Sequence, residues 1–187
     1  MLEVVERRGW DIDIHGVSAL HHLDPPKIAR DVDRKLADLT QRYERVVIVY
    51  GDCGTGGALD SVIAKYPAAR PAGVHCYQWF LQEDPQDIVD NRTGTYFLTD
   101  WLIRNWDLAV MKGLGLDRYP QLKDVYFGNL TDVLYLRQSA EPNAELEAKA
   151  REIASYMGLA IEVKDTGVTP LEALLVPLVE EDADVHA

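Results

Sequence analysis

The chain has 187 residues, 31 acidic against 19 basic, with a formal net charge of −12 and an isoelectric point near 4.7. Such a balance repels phosphate backbones and anionic membrane surfaces, so neither nucleic acid nor a membrane is an expected partner. The N-terminal "MLEVVERRGW" carries charges where a secretory signal needs an apolar core, and no run approaches the roughly 20 apolar residues of a membrane span, which points to the cytoplasm and to reduced cysteines.

The opening residues read as the tail of a helix stopped at Gly9. "DIDIHGV" (Asp11 to Val17) alternates polar and apolar residues, as a strand with one wetter face does. "DPPKIARDVDRKLADLTQRY" begins on a helix-start signal, Asp24 with two prolines, and then repeats Ile28, Val32, Leu36 and Leu39 at steps of three and four. "RVVIVY" is β-branched and apolar on both faces, the pattern of a covered strand in a parallel sheet. The glycine turn "GDCGTGG" follows, and "GGALDSVIAKY" reads as a helix with Leu59, Ile63 and Tyr66 on one face.

The second half repeats the rhythm. "PAGVHCY" is expected as a short strand ending at His75, with "QWF" starting a helical turn. "GTYFLTD" reads as a strand and "TDWLIRNWDLAV" as a helix capped by Thr99 or Asp100. A Gly- and Pro-punctuated connection with one helix inside it precedes the strand "DVLYLRQ". The helix "NAELEAKAREIASYMG" starts near Asn143 and stops at Gly158; the strand "LAIEVKD" and the helix "TPLEALLVPLVEE" close the pattern. Trp79, Phe80, Trp101 and Trp106 are expected to pack in the core, and the acids Glu180, Glu181, Asp182 and Asp184 to form a frayed, solvated tail. Alternating strands and helices argue for a single α/β domain over residues 1–187: a mostly parallel sheet with helices on both faces, a Rossmann-like three-layer arrangement.

Sites in such sheets gather beyond the carboxyl ends of the strands. That places Cys53 in the turn between a strand end and a helix start, where a thiolate is favoured over a thiol. The turn has room for an anion on Asp52, Gly54, Thr55, Gly56 and Gly57, yet it matches neither the dinucleotide fingerprint nor a P-loop, so no nucleotide is expected. The plainer reading is a small residue filling a tight turn. Cys76, beside His75, also ends a strand-like segment. If the two strands are neighbours, Cys53, Cys76 and His75 meet at one rim as ligands for zinc or an iron–sulfur centre. Two sulfurs on one tetrahedral zinc lie roughly 3.7 to 4 Å apart, given Zn–S bonds of about 2.3 Å. Asp100, at the end of "TYFLTD", is a site carboxylate or a helix cap. His21 and His22 follow the segment ending near Val17 and are expected to be solvated in their polar, proline-bounded loop.

The segments "YGDCGTGGALD", "HCYQWF", "TYFLTDWL", "GLGLDRYPQLKDVYFGN" and "VLYLRQ", in that order, resemble the family of domains of unknown function numbered 1638. The resemblance runs from about Gly9 to Leu174. It implies a cytoplasmic α/β protein associated with corrinoid-dependent methyl-transfer systems, and it names no reaction. It also implies an earlier strand ending in a Cys-Gly segment ahead of the first helix, so either the start is truncated or this member lacks the element; if the family site uses three cysteines, only Cys53 and Cys76 stand here, and a sheet edge is left for a partner chain to cover. Two functional classes follow: a metal-binding enzyme or accessory protein of corrinoid-linked one-carbon metabolism, and a non-catalytic module, its cysteines inert, that binds a corrinoid protein or a methyltransferase. A homo-oligomer is compatible with either. No complete catalytic constellation is legible, and a thiol redox role lacks the Cys-x-x-Cys motif.

Overall fold

The computed structural model describes residues 1–82, 88, 91–139 and 141–180, so the acidic tail beyond Glu180 lies outside the described residues. The chain is an α/β protein whose parallel strands, two in one sheet and three in another, are flanked by helices. It gathers into two compact units, one formed by Met1–Trp79 with the segment beginning at Thr169, the other by Phe80–Val168. Composition carried no cue to this division, because no linker-like stretch marks either crossing.

In the first unit, α1 (Leu2–Arg8) stops at Gly9, whose φ of 63° takes the left-handed conformation the sequence pattern anticipated. The residues of the expected strand Asp11–Val17 form no strand: they run irregularly, and Ile12 and Ile14 are 39% and 46% exposed. Their polar members are held from the side instead, the Tyr43 hydroxyl donating to Asp13 Oδ2 at 2.6 Å. After a 3-10 turn (Ala19–Leu23), α2 (Pro26–Arg42) buries Ile28, Val32, Leu36 and Leu39, the stripe its spacing predicts. Pro25 takes the N-cap position, and Asp24 turns its carboxylate to Lys27 Nζ at 2.9 Å.

The apolar run after Arg45 yields only a short strand, β1 (Val46–Val47), because its parallel partner β2 (Ala68–Ala69) is equally short. Beyond it the pairing loosens into single backbone bonds. Ile48 N–H reaches the Ala69 carbonyl at 2.8 Å, Asp52 N–H reaches Gly73 at 3.1 Å and Cys53 N–H reaches Val74 at 2.7 Å. Between the strands lies α3 (Ala58–Ile63). The expected strand around His75 therefore sits earlier, at Ala68–Ala69, and Cys76 already opens α4 (Cys76–Leu81). Ile28, Val32, Leu36, Ile48, Leu59 and Ile63 form the core of this unit, with Cys53 packed at its margin. Each fully buried aliphatic chain contributes about 1.5–3 kcal/mol by leaving water.

In the second unit β3 (Thr95–Thr99) runs into α5 (Asp100–Arg104), where Thr99 Oγ accepts Leu102 N–H as the expected cap. The helix loosens into a π-helical segment, Asp107–Lys112, and the long connection holds a 3-10 turn (Pro120–Leu122) and α6 (Lys123–Phe127). Then come β4 (Asp132–Arg137), α7 (Ala144–Met157) between Asn143 and Gly158 as expected, and β5 (Ala160–Asp165). The three strands are parallel in the order β3-β4-β5, with Tyr96 opposite Val133 and Val133 opposite Ile161. Trp106 is buried here, stacked on Phe127, while Trp101, expected in the core, is 44% exposed. Trp79 and Phe80 are buried as expected. The last helix, α8 (Thr169–Glu180), returns to the first unit, where Glu172 is gripped by Arg7 at 3.1 Å and Arg8 at 2.6 Å.

Candidate thiolate site

Two chain crossings that end near each other make the site. Gly51 is the residue that permits it: a Cβ there would meet the backbone of His75 at 2.8 Å and Cys76 N at 3.0 Å. No side chain fits in that gap. Gly51→Ala is accordingly expected to push the two crossings apart, to destabilise the protein by about 1–3 kcal/mol as overpacking does, and to slow alkylation of Cys53 at pH 6; denaturant titration and thiol kinetics read the two effects.

Cys53 sits at the end of the β1 run with φ at 49°, a conformation a non-glycine residue adopts only when its surroundings enforce it. Here the Cys53 N–H bond to Val74 supplies that enforcement. The neighbouring Cys76 thiol, and after it His22, pull the Cys53 thiol down to about 5 against the opposing effect of burial. The neighbouring Cys53 sulfur and burial push Cys76 well above its ordinary value. His22 is raised chiefly by its bond to Cys53.

His22 is exposed, as expected, and yet stands beside Cys53. Its Nδ1 lies 2.8 Å from the Ala19 carbonyl oxygen, and because that oxygen only accepts, Nδ1 carries the proton. The ring stacks on Tyr50 at 5.2 Å, with the Tyr50 hydroxyl 3.1 Å from Nδ1. Burial, then the two neighbouring sulfurs, raise Tyr50 and keep it a neutral phenol. The tight turn before α2 brings His22 here, a long-range effect with no local signature.

The other expected members are placed differently. His75 Nδ1 accepts the Gln78 N–H at 3.2 Å and its ring tilts against Tyr77, so this face of the imidazole serves the first turn of α4. The glycine turn folds onto its own carboxylate: Asp52 accepts Gly56 N–H at 3.0 Å, Gly57 N–H at 2.9 Å and the Thr55 hydroxyl. Burial works to raise Asp52, yet these bonds hold it below the usual carboxylate value. The N–H groups of Gly56 and Gly57, foreseen as an anion cradle with Gly54, therefore point at Asp52. Asp100 lies in the other unit, where its buried carboxylate accepts from the Tyr135 hydroxyl at 2.8 Å, Gln138 N–H at 3.2 Å, Ser139 N–H at 3.0 Å and the Ser139 hydroxyl.

Arg70 was not anticipated. Anchored by Asp60 at 2.6 and 2.8 Å, it donates to the carbonyls of Tyr50, Pro71 and Gly73 and so ties the two crossings together beneath the sulfurs. Only its position directly after β2 hinted at it.

Among the described residues no group of three or more His, Cys, Asp or Glu side chains is placed to hold a metal ion as it stands. By donor chemistry alone, two thiols and one imidazole are of the kind a soft ion takes. No described helix is long and apolar enough to cross a membrane.

No curated protein and no solved structure matches the chain significantly. One family model does, that of the protein of unknown function DUF1638, over residues 17–175, a span that takes in both cysteines, the glycine turn and both units. The chain therefore belongs to the DUF1638 family.

Proposed function

We propose that the chain is a cytoplasmic metal-binding protein, an enzyme or its accessory, of corrinoid-linked one-carbon metabolism, with Cys53, Cys76 and His22 as the ligands of a zinc-class ion. The observation that supports this reading is the close approach of the two cysteine-bearing crossings, where the space above Gly51 is closed by the backbone of His75 and Cys76 and Cys53 N–H bonds Val74 at 2.7 Å, with His22 beside Cys53. An iron–sulfur cluster asks for four thiolates, and the chain has two cysteines, so zinc is the better match. Two thiolates and one imidazole leave a fourth position, and an ion there would hold an incoming thiol or water in its deprotonated form. The link to corrinoid methyl transfer follows from the resemblance described above. Methyl transfer to an ion-bound thiolate needs such an open position.

Cobalt(II) titration of the reduced protein tests the reading. One equivalent should bind with a sulfur-to-cobalt charge-transfer band; His22→Gln should weaken binding about 10- to 100-fold, the range seen when metal-site partners are lost, and Cys53→Ser should remove the band. Binding that survives Cys53→Ser unchanged, or the absence of any charge-transfer band in the folded protein, would defeat it.

A further inference from the structure

We infer that the first unit holds a slot for one extended peptide strand, beside residues 11–17 and the open edge of β1, and that its occupant is an apolar segment of a partner protein flanked by Lys or Arg. Neither cysteine and no ion is involved. Two stretches of backbone at the slot are unpaired. Ile48 N–H goes to the Ala69 carbonyl on the β2 side at 2.8 Å, so the pleat turns the N–H and C=O groups of Val47 and Val49 the other way, where no described backbone group meets them. Residues 11–17 likewise give and take no backbone–backbone hydrogen bond among the described residues, although their alternation is that of a strand. Open edges of this kind are templates for another chain.

A cavity of about 1190 Å³ adjoins both stretches, lined by Ile12 and Ile14 from one and by residues 46–50 from the other, and all of its lining belongs to the first unit. It exceeds the roughly 300–1,000 Å³ of small-molecule pockets. An extended peptide suits it better than a metabolite: the open edge supplies main-chain hydrogen bonds, and the half-exposed Ile12 and Ile14 favour apolar side chains at alternate positions. Charge at the rim decides the partner. Asp11, Asp13, Glu44 and Glu180 outnumber Lys35 and Arg45 there, and Arg45 already donates to the carbonyls of Leu178 and Val179 at 3.4 and 3.1 Å. Basic flanks are attracted to such a rim. A second copy is repelled, because the strand-patterned segment it offers carries Asp11 and Asp13 on a chain of net charge −12.

The test titrates the full chain into a fluorescent peptide, Lys-Val-Thr-Val-Thr-Val-Thr-Val-Lys, and reads anisotropy and amide hydrogen exchange. Binding should saturate at one peptide per chain, with exchange slowed in residues 11–17 and 46–50 together. Proline at alternate peptide positions, which removes N–H donors, should weaken binding at least about tenfold. Glu in place of both Lys should weaken it by about tenfold at low salt, a gap that narrows as salt is added. No saturation below about 1 mM, equal binding of the proline peptide, or slowed exchange confined to other segments overturns the inference. So does a chain that is dimeric without peptide and already protected along both stretches, since a second copy then fills the slot. Every variation is made in the peptide, so the folding of the chain is constant throughout, and the outcome is separate from that of the cobalt titration.

Discussion

Iodoacetamide should alkylate Cys53 at pH 6 about ten times faster than it alkylates an ordinary exposed thiol. The estimate sets two opposed effects against each other. A thiol at about 5 is almost fully ionised at pH 6, whereas an ordinary one near 8.5 is not, a difference of about 300-fold in thiolate. The more stable thiolate is also the poorer nucleophile, by about 40-fold for a Brønsted slope near 0.45. Ionisation wins. The pH profile discriminates better than the rate: the depressed value means that reactivity persists through neutral pH and is lost only as pH falls through about 5. Cys76→Ala, which deletes the leading neighbour, should move that midpoint upward by at least about one unit, and His22→Gln should move it in the same direction by less. A wild-type midpoint near 8.5 would refute the depressed value.

Asp100→Ala should be the most damaging single change in the Phe80–Val168 unit, costing about 3–5 kcal/mol. Four hydrogen bonds end on its carboxylate. Alanine leaves the Tyr135 hydroxyl and the amides after β4 without acceptors in a site closed to water. Asp100→Asn retains the shape but turns N–H groups toward donors, so its loss should be smaller and still measurable in urea. If Asp100→Ala unfolds at the wild-type denaturant concentration, the network is not a determinant of stability. The wild-type carboxylate also shapes the chemistry of its neighbour, since burial and then Asp100 keep Tyr135 a neutral phenol.

Elements with a strong helical period were readable from sequence: α2 and α7 lie where their apolar spacing and caps placed them, and β3, β4 and β5 where the apolar runs are long. Alternation misled at Asp11–Val17. Ile12 and Ile14 supply the pattern of a strand, but with no paired neighbour the backbone has no ladder to join. The run after Arg45 shows a related effect, because the short Ala68–Ala69 partner, and not the β propensity of the valines, sets the length of β1. Around the cysteines, the approach of the two chain crossings was legible from strand ends and turns, whereas the place of His22 beside Cys53 was not. His75 is adjacent to Cys76 in sequence, yet its Nδ1 is drawn to the α4 turn; His22 is remote, and the 3-10 turn before α2 delivers it. Nor could composition reveal that Asp52 fills the glycine turn, since that depends on the turn closing on a side chain just ahead of it.

The return of α8 to join α1 gives synthesis on the ribosome a fixed order. The Phe80–Val168 segment is contiguous and is available to fold as soon as it emerges, while the layer carrying the sulfurs must wait for the final helix before Glu172 can meet its two arginines. At about 5–20 residues per second, the nascent cysteines spend several seconds in an unfinished scaffold. Any ion or oxidant that reaches the thiols during that interval meets them in a unit whose Glu172 contacts with Arg7 and Arg8 have yet to form.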